Sequence, residues 1–369
     1  MHPTSPDLST SASTRAYLPT LDGWRALAIG ATILHHSLLT FMPPGMTWRF
    51  DPQQLGVLVF FVISGFLIAT LLLEERVKRG RINLVSFYVR RVFRIFPPPL
   101  VFLATITALS RLGIINVPDK SVFACLIISR NFIEGDWYTM HFWSLSIEEQ
   151  FYLVMPIALI AVRSEAGALR LFVAFFFSIL AWKLLNRRLS LSPGLWSRTD
   201  AWATYLIWGV ATALVVRHDS WRVWLTRRTG SVPTILLAAT VLTTYFSQVP
   251  LKSLVLPLAI SAMLVSTVFA PCSVLSRILE SSPMRWLGQI SYSLYVWQQV
   301  FLVPNGQPYP FPFDPRRHPY LPLVGAVALA TCSRYILEKP MIELGRRYLS
   351  WRAGIGRPEG PNPTSSVDR

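Results

Sequence analysis

The chain has 369 residues, 52% of them hydrophobic and only 15% charged, with 35 Lys and Arg against 19 Asp and Glu. An ordinary soluble domain carries roughly 25% charged residues and cannot use so much apolar surface, whereas a bilayer takes ~20 apolar residues per span. The net charge of +16 lies between apolar runs, which points to membrane topology and anionic lipid and away from nucleic acid.

Residues 1–20 are largely polar and lack the apolar core of a cleavable signal, so they read as a disordered cytoplasmic terminus, with the first span as its own signal. Ten apolar runs then predict an all-α, polytopic bundle over 21–340. They lie near 24–41, 55–73, 95–115, 145–163, 168–185, 201–217, 232–248, 253–270, 286–303 and 319–337. The apolar patch 121–133 is too short to cross and reads as a re-entrant or surface segment. The tail 341–369 is basic, then rich in Pro, Gly and Ser, and reads as cytoplasmic and partly disordered.

With the N-terminus inside, the inner positions collect the basic residues. The loop 74–94 holds Arg76, Lys78, Arg79, Arg81, Arg90, Arg91 and Arg94, and later inner positions hold Arg163, Arg170, Arg217, Arg222, Arg227, Arg228, Arg277 and Arg285. Only the outer loop 186–200, with Arg187, Arg188 and Arg198, runs against this pattern. The reading is a multi-pass protein of the cell (inner) membrane with both termini cytoplasmic. Trp137, Tyr138, Trp221, Trp224, Trp286 and Trp351 near span ends suit interfacial belts. Cys125, Cys272 and Cys332 show no ligand or disulfide spacing and read as small buried hydrophobes. No metal is expected.

Ionisable residues inside a span are costly and are candidates for function by default. In the first span Arg25 and His36 are eleven residues apart, about 1100° of helix, so they share one face about 16 Å apart along the axis. His35 points about 80° away from Arg25. Imidazole is suited to take a proton from a hydroxyl and return it, although an intramembrane His can also serve only as a helix-to-helix hydrogen bond. Arg90, Arg91 and Arg94 lead into Pro97-Pro98-Pro99; guanidinium forks fit phosphate oxygens, but the positive-inside bias alone also predicts a basic loop here. In His141 to Tyr152, Ser146-x-x-Glu149 has the spacing of a capping box, leaving His141 and Glu148 at the outer mouth of the bundle.

These motifs, taken together and in order, resemble the acyltransferase 3 family of membrane O-acyltransferases. Leu21-Asp22-Gly23-Trp24-Arg25 with His36 is similar to its first-span signature, Phe60 to Ile68 to its second-span motif, and Tyr88 to Pro97 to its arginine loop. His141 to Tyr152 resembles its Trp-Ser-Leu-x-x-Glu segment, Arg198-x-Asp200 a shorter pattern, Leu287 to Trp297 its ninth-span motif, and Glu338-Lys339-Pro340 the closing one. The resemblance implies ten spans and transfer of an acyl group, acetyl being the expected one, from acyl-CoA to a hydroxyl of a glycan, lipid-linked saccharide or similar acceptor. It implies no bound cofactor. Carried over, His36 is the catalytic histidine with Arg25 its motif partner and Glu148 beside them. Arg90, Arg91 and Arg94 hold the donor, and His141, Ser144, Ser64 and Tyr292 lie toward the acceptor.

Two departures stand out. Many members carry His after the Tyr-x-Trp of the ninth span, where this chain has Gln298, and Tyr205 stands where a Gly often follows Arg-x-Asp. Some members also carry a soluble esterase-like domain. The about 30 residues after Pro340 are too few for one, so a stand-alone form is expected. The rival from another class is a transporter that uses Arg25, His36 and Glu148 as a proton relay or substrate path.

Overall fold

The computed structural model describes residues 18–43, 51–162, 164–190, 197–227, 231–246, 252–269 and 274–355. Cys272, Arg163, Arg228, the first 17 residues and the end of the tail lie outside them. Among the described residues the architecture is all-helical. In chain order the helices are α1 (Pro19–Phe41), α2 (Pro52–Arg79), α3 (Leu84–Ile95), α4 (Pro97–Arg111), α5 (Asp119–Leu126), α6 (Trp137–Met140), α7 (Phe142–Ala161) and α8 (Glu165–Leu189). There follow α9 (Thr199–Val216), α10 (Asp219–Arg227), α11 (Ser231–Phe246), α12 (Lys252–Phe269), α13 (Val274–Leu279), α14 (Ser282–Phe301), α15 (Tyr320–Cys332) and α16 (Lys339–Ile355). A π-helical turn, Ser333–Glu338, joins the last two, so the chain stays helical well into the expected tail.

Each of the ten apolar runs falls on a helix or a linked pair of helices, but the count of ten crossings does not carry over. Five helical stretches are long and apolar enough to cross a membrane: Pro52–Arg79, Trp137–Ala161, Glu165–Asn186, Thr199–Val216 and Tyr320–Gly354. A sixth arises if α3 and α4, bent by 40° at Pro97, form one broken span. Both α1 and α14 are long enough but fall outside this set; α1 bears Arg25 and two histidines, and α14 bears Gln289, Gln298 and Gln299. The polar groups that lower their hydropathy turn out to be those of the site. The 121–133 patch is the eight-residue α5 and a single 3₁₀ turn, Arg130–Phe132, too short to cross.

Helix directions follow from paired contacts. Phe61 meets Trp202 and Gly65 packs on the Leu206 carbonyl, so α2 and α9 run parallel. Gly65 and Gly209 lie where this crossing brings backbone onto backbone, and a side chain on either would collide. Parallel packing likewise relates α1 and α14, where Gly288 abuts the Asp22 backbone and Gln298 meets His36. Between α1 and α2 the order reverses: Gly56 lies on Ala28 and Gln53 reaches His36. The hairpin of α8 and α9 is pinned at one end by Arg217 and Glu165 at 2.7 Å and at the other by Lys183 on the Ala201 carbonyl at 2.8 Å.

Several sequence expectations need correction. Helix α7 starts at Phe142, ahead of Ser146, so Ser146 is interior and cannot cap it. Its hydroxyl accepts the Arg130 backbone N–H at 3.2 Å instead, and the local cap is Asp136, whose carboxylate receives the Thr139 N–H at 3.0 Å. Trp137 and Tyr138 are buried, not interfacial, whereas Trp221, Trp224, Trp286 and Trp351 are exposed as a belt requires. Cys125 is buried, but Cys332 is exposed. Part of the basic loop has structural work: Arg76 donates to the Leu159 and Val162 carbonyls that the end of α7 leaves open.

Candidate active site

The polar groups collect at two levels of the bundle, joined by α1. At the first level His36, 2% exposed, faces the bundle interior on the last turns of α1. Its Nδ1 lies 2.5 Å from Gln298 Oε1 on α14, and its Nε2 lies 3.0 Å from Gln53 Oε1 on α2. The ring of Trp137 meets it edge-on with centroids 4.9 Å apart. Gln298 donates its amide N–H to Gln299 Oε1 at 2.9 Å, and Gln299 donates to the Trp137 carbonyl at 2.7 Å. The Trp137 indole closes the ring of contacts by donating to the Gln299 carbonyl at 3.0 Å.

His35 leaves this face, as its spacing requires, but it is engaged: its Nδ1 lies 3.2 Å from Asp51 Oδ1, and its ring meets His36 edge-on at 5.5 Å. His141 is also at this level. It is 1% exposed, Phe102, Phe142 and Tyr295 surround it, and its polar neighbour is the Val296 backbone. Ser144 shares a 2.6 Å hydrogen bond with the Tyr295 hydroxyl. The 304–318 loop covers this end: Asn305 donates to the Leu39 and Met42 carbonyls, and Tyr138 donates to Pro308.

The second level lies toward the start of α1. Arg25 pairs with Asp22 at 3.2 Å. Arg91 stacks on Tyr152, its guanidinium 3.9 Å from the ring centroid, and Arg94 lies within electrostatic range of Arg25, Arg91 and Arg334. Arg334, on the π-helical turn, pairs with Glu338 at 2.9 Å while its buried Nε has no partner. Glu338 is 2% exposed and is held by the Ser293 hydroxyl, which also contacts Ser333. Glu148 accepts hydrogen bonds from Ser64, at 2.5 Å, and from Tyr152.

Glu148 therefore lies with the arginines and apart from His141, with which the sequence reading had grouped it. Two turns of α7 separate the two residues. Arg90 also parts from its neighbours: it pairs with Glu75 on α2 at 3.0 Å and so supports the loop. Tyr292 donates to the Ile95 carbonyl at 2.6 Å, a group whose helical donor would be the N–H that Pro99 lacks. It also lines an open recess together with Leu103, Cys125, Phe142, Ser146 and Glu149; His36 is not part of that lining.

Sequence reading missed Gln53, Trp137 and Arg334 as site residues and noted Gln298 only for not being histidine. Arg334 had a signal, a basic residue inside an apolar run, four positions before Glu338. The glutamines and Trp137 had none beyond being polar or amphipathic.

No solved structure matches this chain. The profile of a family described as an acyltransferase domain matches residues 18–336. Among curated relatives, the peptidoglycan O-acetyltransferase OatA of Listeria monocytogenes serovar 1/2a is 27% identical over 78% of this chain and 50% of its own length. A putative O-acetyltransferase of Staphylococcus aureus strain MRSA252 is 27% identical over 91% of this chain and 59% of its own. The putative peptidoglycan O-acetyltransferase YrhL of Bacillus subtilis strain 168 is 27% identical over 96% and 59% respectively. The chain thus spans half to three-fifths of the length of these relatives. The family match runs from the start of α1 into the π-helical turn, and the protein therefore belongs to the acyltransferase 3 family.

Proposed function

We propose that the chain transfers an acetyl group from acyl-CoA to a hydroxyl of a glycan acceptor, with His36 as general base. The observation that carries the reading is the placement of His36: a buried, inward-facing imidazole on α1, hydrogen-bonded on both ring nitrogens by side chains of two other helices. The acceptor oxygen attacks the thioester carbonyl as Nε2 takes its proton. The tetrahedral intermediate then expels the thiolate, and the imidazolium returns the proton to sulfur, giving the acetyl ester and free thiol. Gln53, half-buried on the first turn of α2, is the group that would yield to an incoming hydroxyl.

Arg91, Arg94 and Arg334, with Arg25 beside them, suit the phosphates of the donor. Arg94 has no hydrogen bond or ion pair among the described residues, and a phosphate oxygen is the natural partner for such a guanidinium. The about 16 Å of α1 between Arg25 and His36 would be spanned by the extended pantetheine arm. Glycan acceptors are supported by the relatives named for peptidoglycan O-acetylation. Membership in an acyltransferase family leaves the transporter reading without a specific observation in its favour. Mass spectrometry of envelope glycans from cells with an active or a His36→Ala copy tests the proposal. O-acetyl groups present only with the active copy support it, and identical glycan profiles overturn it.

A further inference from the structure

We infer that Gln298 and Gln299 are positioning residues that fix the tautomer of His36, so that Nδ1 carries the ring proton and Nε2 presents the lone pair to the acceptor. The inference rests on the reading of His36 as the base, and it follows from hydrogen-bond chemistry read along the relay from its far end. The Trp137 carbonyl can only accept, so the Gln299 group 2.7 Å from it must be the NH₂ end of that amide. The Gln299 oxygen is then turned toward Gln298, at 2.9 Å, and only the Gln298 NH₂ can meet it. What Gln298 has left for His36 is its carbonyl oxygen, 2.5 Å from Nδ1, and a carbonyl oxygen there demands an N–H. A neutral imidazole has one N–H, so Nε2 is the bare nitrogen.

Every amide orientation in the relay is thereby set by one backbone carbonyl. Gln53 imposes nothing in return: half-exposed and at one end of α2, its amide can turn to place either end on Nε2. Burial favours the relay. Gln298 and Gln299 are 0% and 1% exposed, and the Trp137 indole, donating to the Gln299 carbonyl, closes it on itself. The Gln298 amide accepts from Nδ1–H but never takes its proton. The titratable groups facing His36 are His35 on its own helix, with Asp51 behind it, His141 between α6 and α7, and the Tyr295 hydroxyl beside it on α14.

The test uses the full chain in lipid nanodiscs, with transfer from acetyl-CoA followed over pH. Activity rises with pH as the base loses its proton. In Gln298→Glu a carboxylate faces Nδ1–H and stabilises the imidazolium, so the midpoint of the rise in kcat should move to higher pH by about one unit, with the KM for acetyl-CoA little changed. Gln298→Met, which cannot accept, should lower kcat more than tenfold at every pH, and Gln298→His should restore part of it. An unshifted profile in Gln298→Glu, from protein that elutes as wild type and binds acetyl-CoA normally, overturns the relay. So does full activity in Gln298→Met. A His36→Ala variant run alongside separates the two levels of failure: if it still transfers, the base assignment is wrong; if it is dead while Gln298→Glu is unshifted, only the relay is.

Discussion

At the scale of single residues, the site divides into groups held by the protein and groups left free for a substrate. His36 is held on two sides, Arg25 and Arg334 each have a carboxylate, and Arg94 has none. General base catalysis contributes about 10²–10⁴-fold, so His36→Ala should lower kcat by that factor. His35→Ala should keep most activity, because its ring is turned to Asp51. Steady-state rates on the two variants check this; equal losses would count against the helix-face argument. Arg94→Ala and Arg334→Gln should raise the KM for acetyl-CoA severalfold, whereas Arg90→Ala, whose partner is Glu75, should leave it near wild type. Donor titrations distinguish the three. Arg25 and His36 stand out in the sequence because charge inside an apolar run is rare and has a physical reason, whereas Arg91 and Arg94 stand out only as part of a basic loop. The partners of His36 were not. A glutamine on α2 and another on α14 become a site only when tertiary packing brings them to one ring, and no local period announces that.

At the scale of elements, the bundle depends on places where helices approach without side chains between them. Gly65 sits on the Leu206 carbonyl, and Gly209 on the α2 backbone around Val62 and Phe66. Either Gly65→Val or Gly209→Val should force α2 and α9 apart and lower the thermal midpoint of the detergent-solubilised protein, measured by tryptophan fluorescence. An unchanged midpoint would show that the crossing tolerates the added volume. Asp51 caps α2 through the Gln54 N–H at 3.1 Å, so Asp51→Ala should cost about 1 kcal/mol and also release His35. The sequence located every helix that an apolar run marks, because hydropathy and length are what a bilayer reads. It misplaced the start of α7, since Trp137–Met140 and Phe142 are amphipathic or aromatic and give no hydropathy step. It also could not show the π-helical turn, whose extra residue per turn is stabilised by Glu338 meeting Ser293 on another helix.

At the scale of the whole molecule, the two polar levels lie toward opposite ends of α1, and in the proposed function the charged level would hold the donor and the His36 level the base. The polar residues of these levels lower the hydropathy of α1 and α14, and neither helix is among those long and apolar enough to cross a membrane by composition. Cysteine accessibility in intact cells resolves the crossing count: probes placed at the 304–318 loop and at the start of α3 should label from opposite sides, as a donor inside and a glycan outside require. The most direct test of the central claim is label transfer by the purified chain, from acetyl-CoA carrying a labelled acetyl group to a peptidoglycan fragment. The wild-type protein should place label on the acceptor, and His36→Ala should lose at least 99% of that rate while still binding acetyl-CoA, about the lower bound for general base catalysis. Transfer at the wild-type rate by His36→Ala would contradict the account.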